Sequence, residues 1–237
     1  MSRFSAIRAL SWPALACLLG LLLSAARAEA SSDPSAPEHL GQFTVARLHY
    51  TGGGDWYSDP SSLPNLLEQL QLRTGLPTAR EDVPVTLDDE RLYSHPFLYA
   101  TGHGTIALSP QDLARLRRYL DAGGFWWVDD NYGFDRSFRR TVSQLYPDDQ
   151  LVPLSSDHPI YRAYYDLPGL PKIHYHDGDP AQGFGLFRNG RMVIFYSWSS
   201  DIGDGLEDPS VHGDPANLRE AAMKMAINVC IYALTQP

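Results

Sequence analysis

Apolar positions along this chain alternate between strand-like runs and helical stripes. Phe43–Tyr50 (FTVARLHY) is rich in β-branched and aromatic residues and predicts a strand. Leu63, Leu66, Leu67 and Leu70 recur at i, i+3, i+4 and i+7, which predicts a helix over about 63–73 that Gly75 and Pro77 stop. Val83–Leu87 and Phe97–Thr101 read as further strands. Ser109-Pro110-Gln111-Asp112 opens the clearest helix, with Ser109 as N-cap, Pro110 at the first helical position and Asp112 reaching back as a variant capping box. Leu113, Leu116 and Leu120 form its buried stripe, and Gly123 closes it. Phe125–Val128 is nearly all apolar, as suits a parallel strand covered on both faces. Phe134, Phe138, Val142 and Leu145 mark one side of a helix over about 135–145.

The second half changes character. Phe184–Arg188 and Arg191–Trp198, joined by Asn189-Gly190, predict a hairpin with a two-residue turn. Asp214 and Pro215 read as cap and first-turn residue of a last helix over about 216–234, apolar on nearly every side. Strand–helix alternation followed by a hairpin and a covering helix predicts an α/β fold. It should have three α/β/α layers around a mostly parallel sheet.

Ahead of this domain, Arg3 and Arg8 precede an apolar run that ends in Ala26-Arg27-Ala28, the pattern of a signal peptide over residues 1–28. Residues 29–40 are rich in Ser, Pro and Ala and read as a flexible linker, leaving 41–237 as a single domain. The expected location is therefore exported and periplasmic, with no transmembrane span after the leader is removed and an uncleaved anchor as the lesser option. Taking away three arginines and no acids from 19 basic and 28 acidic residues leaves a formal charge of −12. That balance disfavours nucleic acid as a partner, since phosphate binding needs clustered cations. Cys230 is the one cysteine outside the leader, so no internal disulfide forms and packing must supply stability.

Candidate chemistry gathers at two predicted strand ends. Gly102-His103-Gly104 allows a tight turn whose free amides could meet an anion, with His103 as base, donor or ligand; the alternative is a plain glycine turn. Asp129-Asp130-Asn131 ends the next strand, where one carboxylate of the adjacent pair would face a pocket as general base or metal ligand, or else serve as turn chemistry. His174-Tyr175-His176-Asp177 has ligand types suited to zinc or iron, although its spacing matches no strong metal signature. Asp157-His158-Pro159 reads as a turn before a helix with Asp157 capping, and His158 is a weaker site candidate. Asp201, Asp204, Glu207 and Asp208 form a glycine-broken acidic loop, ordinarily a solvated face, though one that could border the same pocket. Phosphate-loop, dinucleotide, helical zinc-protease and Gly-x-Ser-x-Gly motifs are absent, and no cofactor is called for.

Five segments in order resemble the bacterial family named domain of unknown function 4159: residues 101–104 (TGHG), the helix around Leu116–Leu120, Gly123-Gly124-Phe125 running to Asp129-Asp130, Asp157-His158-Pro159-Ile160, and Arg191–Trp198 leading to Asp201. The resemblance covers about 43–234 and implies a fold like that of class I glutamine amidotransferases, a flavodoxin-like arrangement. It would set Gly102 at the oxyanion turn and Asp129–Asn131 near the nucleophile elbow. A glutaminase needs a cysteine thiolate at that elbow, and this chain has Asp-Asp-Asn, so glutaminase activity is not expected.

The leading expectation is an exported, non-catalytic domain. It would bind a small polar ligand or a cell-envelope protein between Gly102–Gly104 and Asp129–Gly133, with Gly102, Gly104, Asn131, His158 and Asp201 as binding candidates. The alternative is a hydrolase in which Asp129 or Asp130 activates water with His103 as partner, assisted by a metal held at His174, His176 and Asp177.

Overall fold

In the computed structural model residues 41–176 and 178–236 are described. The predicted signal peptide (1–28), the linker (29–40) and Asp177 lie outside them. The strands are β1 (Ala46–Leu48), β2 (Val83–Val85), β3 (Phe97–Ala100), β4 (Phe125–Asp129), β5 (Val152–Pro153), β6 (Gln182–Arg188) and β7 (Arg191–Trp198). The helices are α1 (Ser62–Thr74), α2 (Pro110–Asp121), α3 (Asp135–Leu145), α4 (Ile202–Leu206), α5 (Pro209–His212) and α6 (Ala216–Thr235).

All strands join one sheet in the order β2-β1-β3-β4-β7-β6-β5. The first five positions of that order are mutually parallel; β6 runs antiparallel to β7, and β5 in turn antiparallel to β6 at the far side. Strand order reverses between β1 and β3, because the chain leaves β1 outward to β2 and returns on the other side. Ligands of open α/β sheets bind outside the carboxyl ends of strands at such a point. Register brings the ends together: Tyr99 pairs with Trp127, and Trp127 with Phe195, so β3, β4 and β7 finish along one edge.

The period-two pattern divides the core into two faces. Phe97, Tyr99, Phe125, Trp127 and Phe195 pack against α1 and α6, while Leu98, Trp126, Val128, Ile194 and Tyr196 pack against α2 and α3. A three-layer α/β/α architecture results, as the sequence pattern predicts. The capping box of α2 forms as read: Ser109 Oγ accepts from the Asp112 N–H, and Asp112 returns a bond to the Ser109 N–H.

Three local readings are corrected. The acidic 201–208 stretch is no solvated loop, because Ile202–Leu206 is a buried helix with Asp201 and Asp204 beneath the surface. Asp214 does not cap α6, whose N-cap is Pro215 without a side-chain bond; Asp214 holds His174 instead. Asp157 bonds Ser155, and the acceptor that caps the turn at Pro159–Arg162 is His158 Nδ1, 3.2 Å from the Ile160 nitrogen.

Phe138 fills the α3 side of the core, with ring centroids 5.5 Å from Trp126 and 4.4 Å from Tyr196. Phe138→Ala should cost about 3–5 kcal/mol in chemical denaturation, from lost burial plus a cavity that rigid neighbours cannot fill. Leu72, 70% exposed on α1, should tolerate Ala within about 0.5 kcal/mol in the same measurement.

Candidate functional site

Four strand ends and the loops that follow them build the site. After β1, the Gly52–Gly54 turn carries Asp55, which meets the turn after β3. Asp55 Oδ1 accepts from the His103 backbone N–H, and Oδ2 lies 3.2 Å from His103 Nδ1. This pair sits at the point where the strand order reverses. Gly102 makes the approach possible: its φ is +141°, and a Cβ there would collide with Tyr50 Oη and press within 2.9 Å of Asp55 Oδ1. With Nδ1 turned toward Asp55, the imidazole's Nε2 remains for other work, on a side chain that is 46% exposed. The amides expected to meet an anion are used by the fold, since the Gly104 N–H donates to Tyr132 O at 3.2 Å and the His103 N–H to Asp55.

The acidic pair after β4 separates as an extended chain requires. Asp129 points toward α4, where its Oδ2 accepts from the Gly203 N–H at 2.7 Å and its Oδ1 from Ser197 Oγ. Asp130 points the other way, toward the Ser199 N–H, 3.4 Å from its Oδ2. Asn131 is enclosed, accepting from Thr101 Oγ1 at 2.6 Å and donating to Asp59 Oδ2 at 3.2 Å and Asp204 Oδ1 at 3.4 Å. The turns after β3 and β4 are joined by a His103–Tyr132 bridge, yet the partner of His103 is Asp55 and neither acid of the pair.

The segment 171–176 brings two more imidazoles to the same edge. His176 lies with its ring centroid 6.4 Å from that of His103 and 5.2 Å from Tyr132, and 6.0 Å from His174. Its Nε2 is 2.7 Å from Asp201 Oδ2. His174 Nδ1 is 2.7 Å from Asp204 Oδ2, and its Nε2 is 2.9 Å from Asp214 Oδ1. His174, His176 and Asp201 offer three ligand atoms within 4.8 Å of one another, and so do His174, Asp204 and His212. Imidazole with carboxylate is a donor set that zinc, iron and manganese accept. The sequence candidates His103, Asp129, Asp130, Asn131, Asp201, His174 and His176 therefore share one edge of the sheet. His158 stands apart, its ring 6.1 Å from Phe187 and 5.5 Å from Tyr232.

Electrostatics mark the place. Asp201 adopts left-handed backbone (φ 60°) and is 1% exposed, and neither carboxylate oxygen has a hydrogen bond of proper geometry among the described residues. Burial, reinforced by Asp129 and Asp204, pushes its carboxyl up to about 10. Burial also raises Asp129, to about 7 against the relief from Ser197 and Gly203, and lifts Asp59 beside the charge of Asp204. Burial, then the neighbouring His174, lowers His176 and favours its neutral, ligand-competent form.

Asp55, Asp59, His212 and Asp214 carry no motif that singles them out, since each meets its partners only through the fold. Asp201 and Asp204 carry no such signal either, since Asp201 stands in left-handed backbone ahead of α4 and the pair converges on His174 only through the fold. A family described as Domain of unknown function (DUF4159) has a model that matches residues 44–234. Among curated proteins, no sequence matches the chain.

Asp129 gives a test of the electrostatic strain. A carboxyl raised on folding binds its proton more tightly in the native state, so stability falls as pH rises from the unfolded value near 4 through about 7. Asn at this position would keep the Gly203 bond through its oxygen and donate to Ser197 Oγ, leaving that hydroxyl to Val128 O. In chelator-treated protein, Asp129→Asn should remove up to about 4 kcal/mol of the stability lost between pH 4 and pH 8. Urea denaturation across that range checks it, and an unchanged slope would refute the assignment.

Proposed function

The chain belongs to the DUF4159 family, whose description names no reaction, and from the geometry we propose an exported metal-assisted hydrolase acting on an uncharged ester or amide. The observation that carries this reading is Asp201, a buried carboxylate with no hydrogen bond of proper geometry among the described residues, whose Oδ2 has His176 Nε2 at 2.7 Å and His174 Nδ1 at 4.0 Å. A cation is the partner that removes such a cost, because an isolated buried carboxylate is strongly unfavourable. His174, His176 and Asp201 would hold a divalent ion, which supplies Lewis-acid polarisation of a substrate oxygen. Asp214 supports that role by fixing the His174 ring from behind, as outer carboxylates do for metal-binding histidines.

His103 is the acid–base group. Asp55 holds its Nδ1 side, which orients the ring and supports the imidazolium when Nε2 takes a proton. Tyr132, 52% exposed and tilted over His176, offers a face for an apolar part of the substrate. Asp55, Asp130, Asp201, Asp204 and Asp214 line this edge, and Lys172, bonded to Ser199 Oγ at 2.6 Å, is a cation beside them. Asp55, Asp130 and Asp214 add negative charge beyond the ion's own ligands, which disfavours a phosphoester against a neutral acyl substrate. Export is supported by the leader pattern of residues 1–28. Among the described residues no helix is long and apolar enough to cross a membrane.

Isothermal titration of chelated protein with Zn²⁺ and Mn²⁺, followed by a panel of neutral esters and amides, tests the proposal. Wild type should bind metal and turn over a member of the panel. Asp201→Asn should weaken metal binding at least about tenfold. His103→Ala should keep the metal and lose about 10²–10⁴ in rate. Absence of metal binding overturns the centre, and metal binding with ligand capture but no turnover leaves a binding domain in its place.

A further inference from the structure

Both ring nitrogens of His174 face carboxylates, and they face different walls. Nε2 lies 2.9 and 3.1 Å from the two oxygens of Asp214. Nδ1 lies 2.7 Å from Asp204 Oδ2 and 4.0 Å from Asp201 Oδ2, so one nitrogen looks toward both candidate ligand sets. The two sets, His174–His176–Asp201 and His174–Asp204–His212, share only this imidazole. A ring nitrogen has one lone pair and serves one cation. Two ions could not each keep His174 through the nitrogen that faces them.

We propose that the two sets are halves of one coordination sphere, holding a single borderline divalent cation of the zinc type, with His212 on α5 as its closing ligand. The inference rests on the metal-centre reading above and extends it in two respects: a stoichiometry of one, and a ligand from an element outside the sheet edge. The donor atoms within each set lie within 4.8 Å of one another, and an ion at His174 Nδ1 would draw the two sets together. His174 and His212 have ring centroids 5.2 Å apart, a separation that one shared ion can span. His212 is the outlying donor. Its Nε2 is 3.8 Å from Asp204 Oδ1, against 2.7 Å for both the His174–Asp204 and His176–Asp201 contacts. Five donors exceed the four that zinc prefers, so the outlying one would be the ligand to give way to an incoming substrate.

Apo full-length protein titrated with Co²⁺ tests this, because the visible d–d bands of Co²⁺ report its coordination. Wild type should bind one equivalent. His212→Ala, at the exposed end of α5 and checked for folding by circular dichroism, should still bind one equivalent, at least about tenfold more weakly and with altered d–d bands. Two equivalents in wild type would overturn the single sphere. One equivalent with identical affinity and spectrum in His212→Ala would remove His212 while leaving the metal centre intact. No Co²⁺ bound by wild type would overturn both readings together.

Discussion

Like-charge repulsion among buried carboxylates is the constraint around which this edge of the molecule is arranged. Asp59, Asp129, Asp201 and Asp204 are all buried within one neighbourhood of strand ends and α4. Each partner they have does something specific to disperse charge. Asn131 donates to Asp59 and Asp204, the Gly203 N–H and Ser197 serve Asp129, and His174 stands between Asp204 and Asp214. Asp201 is left with the imidazoles of His176 and, farther off, His174. Moving a carboxylate out of water without compensation costs several kcal/mol or more, far above what a turn residue needs for local hydrogen bonding. A neighbourhood this acidic in a folded core is balanced by protons or by a cation, and the imidazoles beside it are the donor type that selects a cation.

Regular elements were legible in the sequence wherever a local rule and the tertiary fold agree. Ser109 and Asp112 form their reciprocal cap because those bonds lie within one turn and need nothing from elsewhere. The 184–198 hairpin follows from Asn189 and Gly190, both at positive φ in the structure, as the two-residue turn requires. The β3 and β4 ends were legible too, because glycine and aspartate interrupt apolar runs there. Ile202–Leu206 was not. Its two glycines give it poor helix propensity, and its acids read as solvated. It is held as a helix by tertiary bonds, from the Gly203 N–H to Asp129 and by packing of Ile202 and Leu206 in the core.

The candidate site was legible only in part for a related reason. His174 and His176 announce ligand chemistry by type, but their companions Asp201, Asp204, His212 and Asp214 come from α4, α5 and the residues joining α5 to α6. No spacing rule spans such a set, since sequence distance says nothing about which loops meet above a sheet edge. Asp55 is the sharpest instance. It follows three glycines, Gly52–Gly54, that mark no more than a turn, and it becomes the partner of His103 only because β1 and β3 are parallel neighbours.

That last contact also explains why the site lies where it does. A general base needs a fixed tautomer, and a metal-binding histidine needs a fixed ring, so each requires a carboxylate behind it. Asp55 stands behind His103, and Asp214 stands behind His174, with His176 between the two imidazoles. The first carboxylate comes from the strand-order reversal between β1 and β3, and the second from the residues that lead into the last helix. Both orienting groups are therefore anchored to the scaffold, one through the loop after β1 and the other through the residues before α6. In the proposed hydrolase, an acid–base imidazole and a ligand imidazole held this way would act on one substrate without either needing to reorganise, as electrostatic catalysis requires.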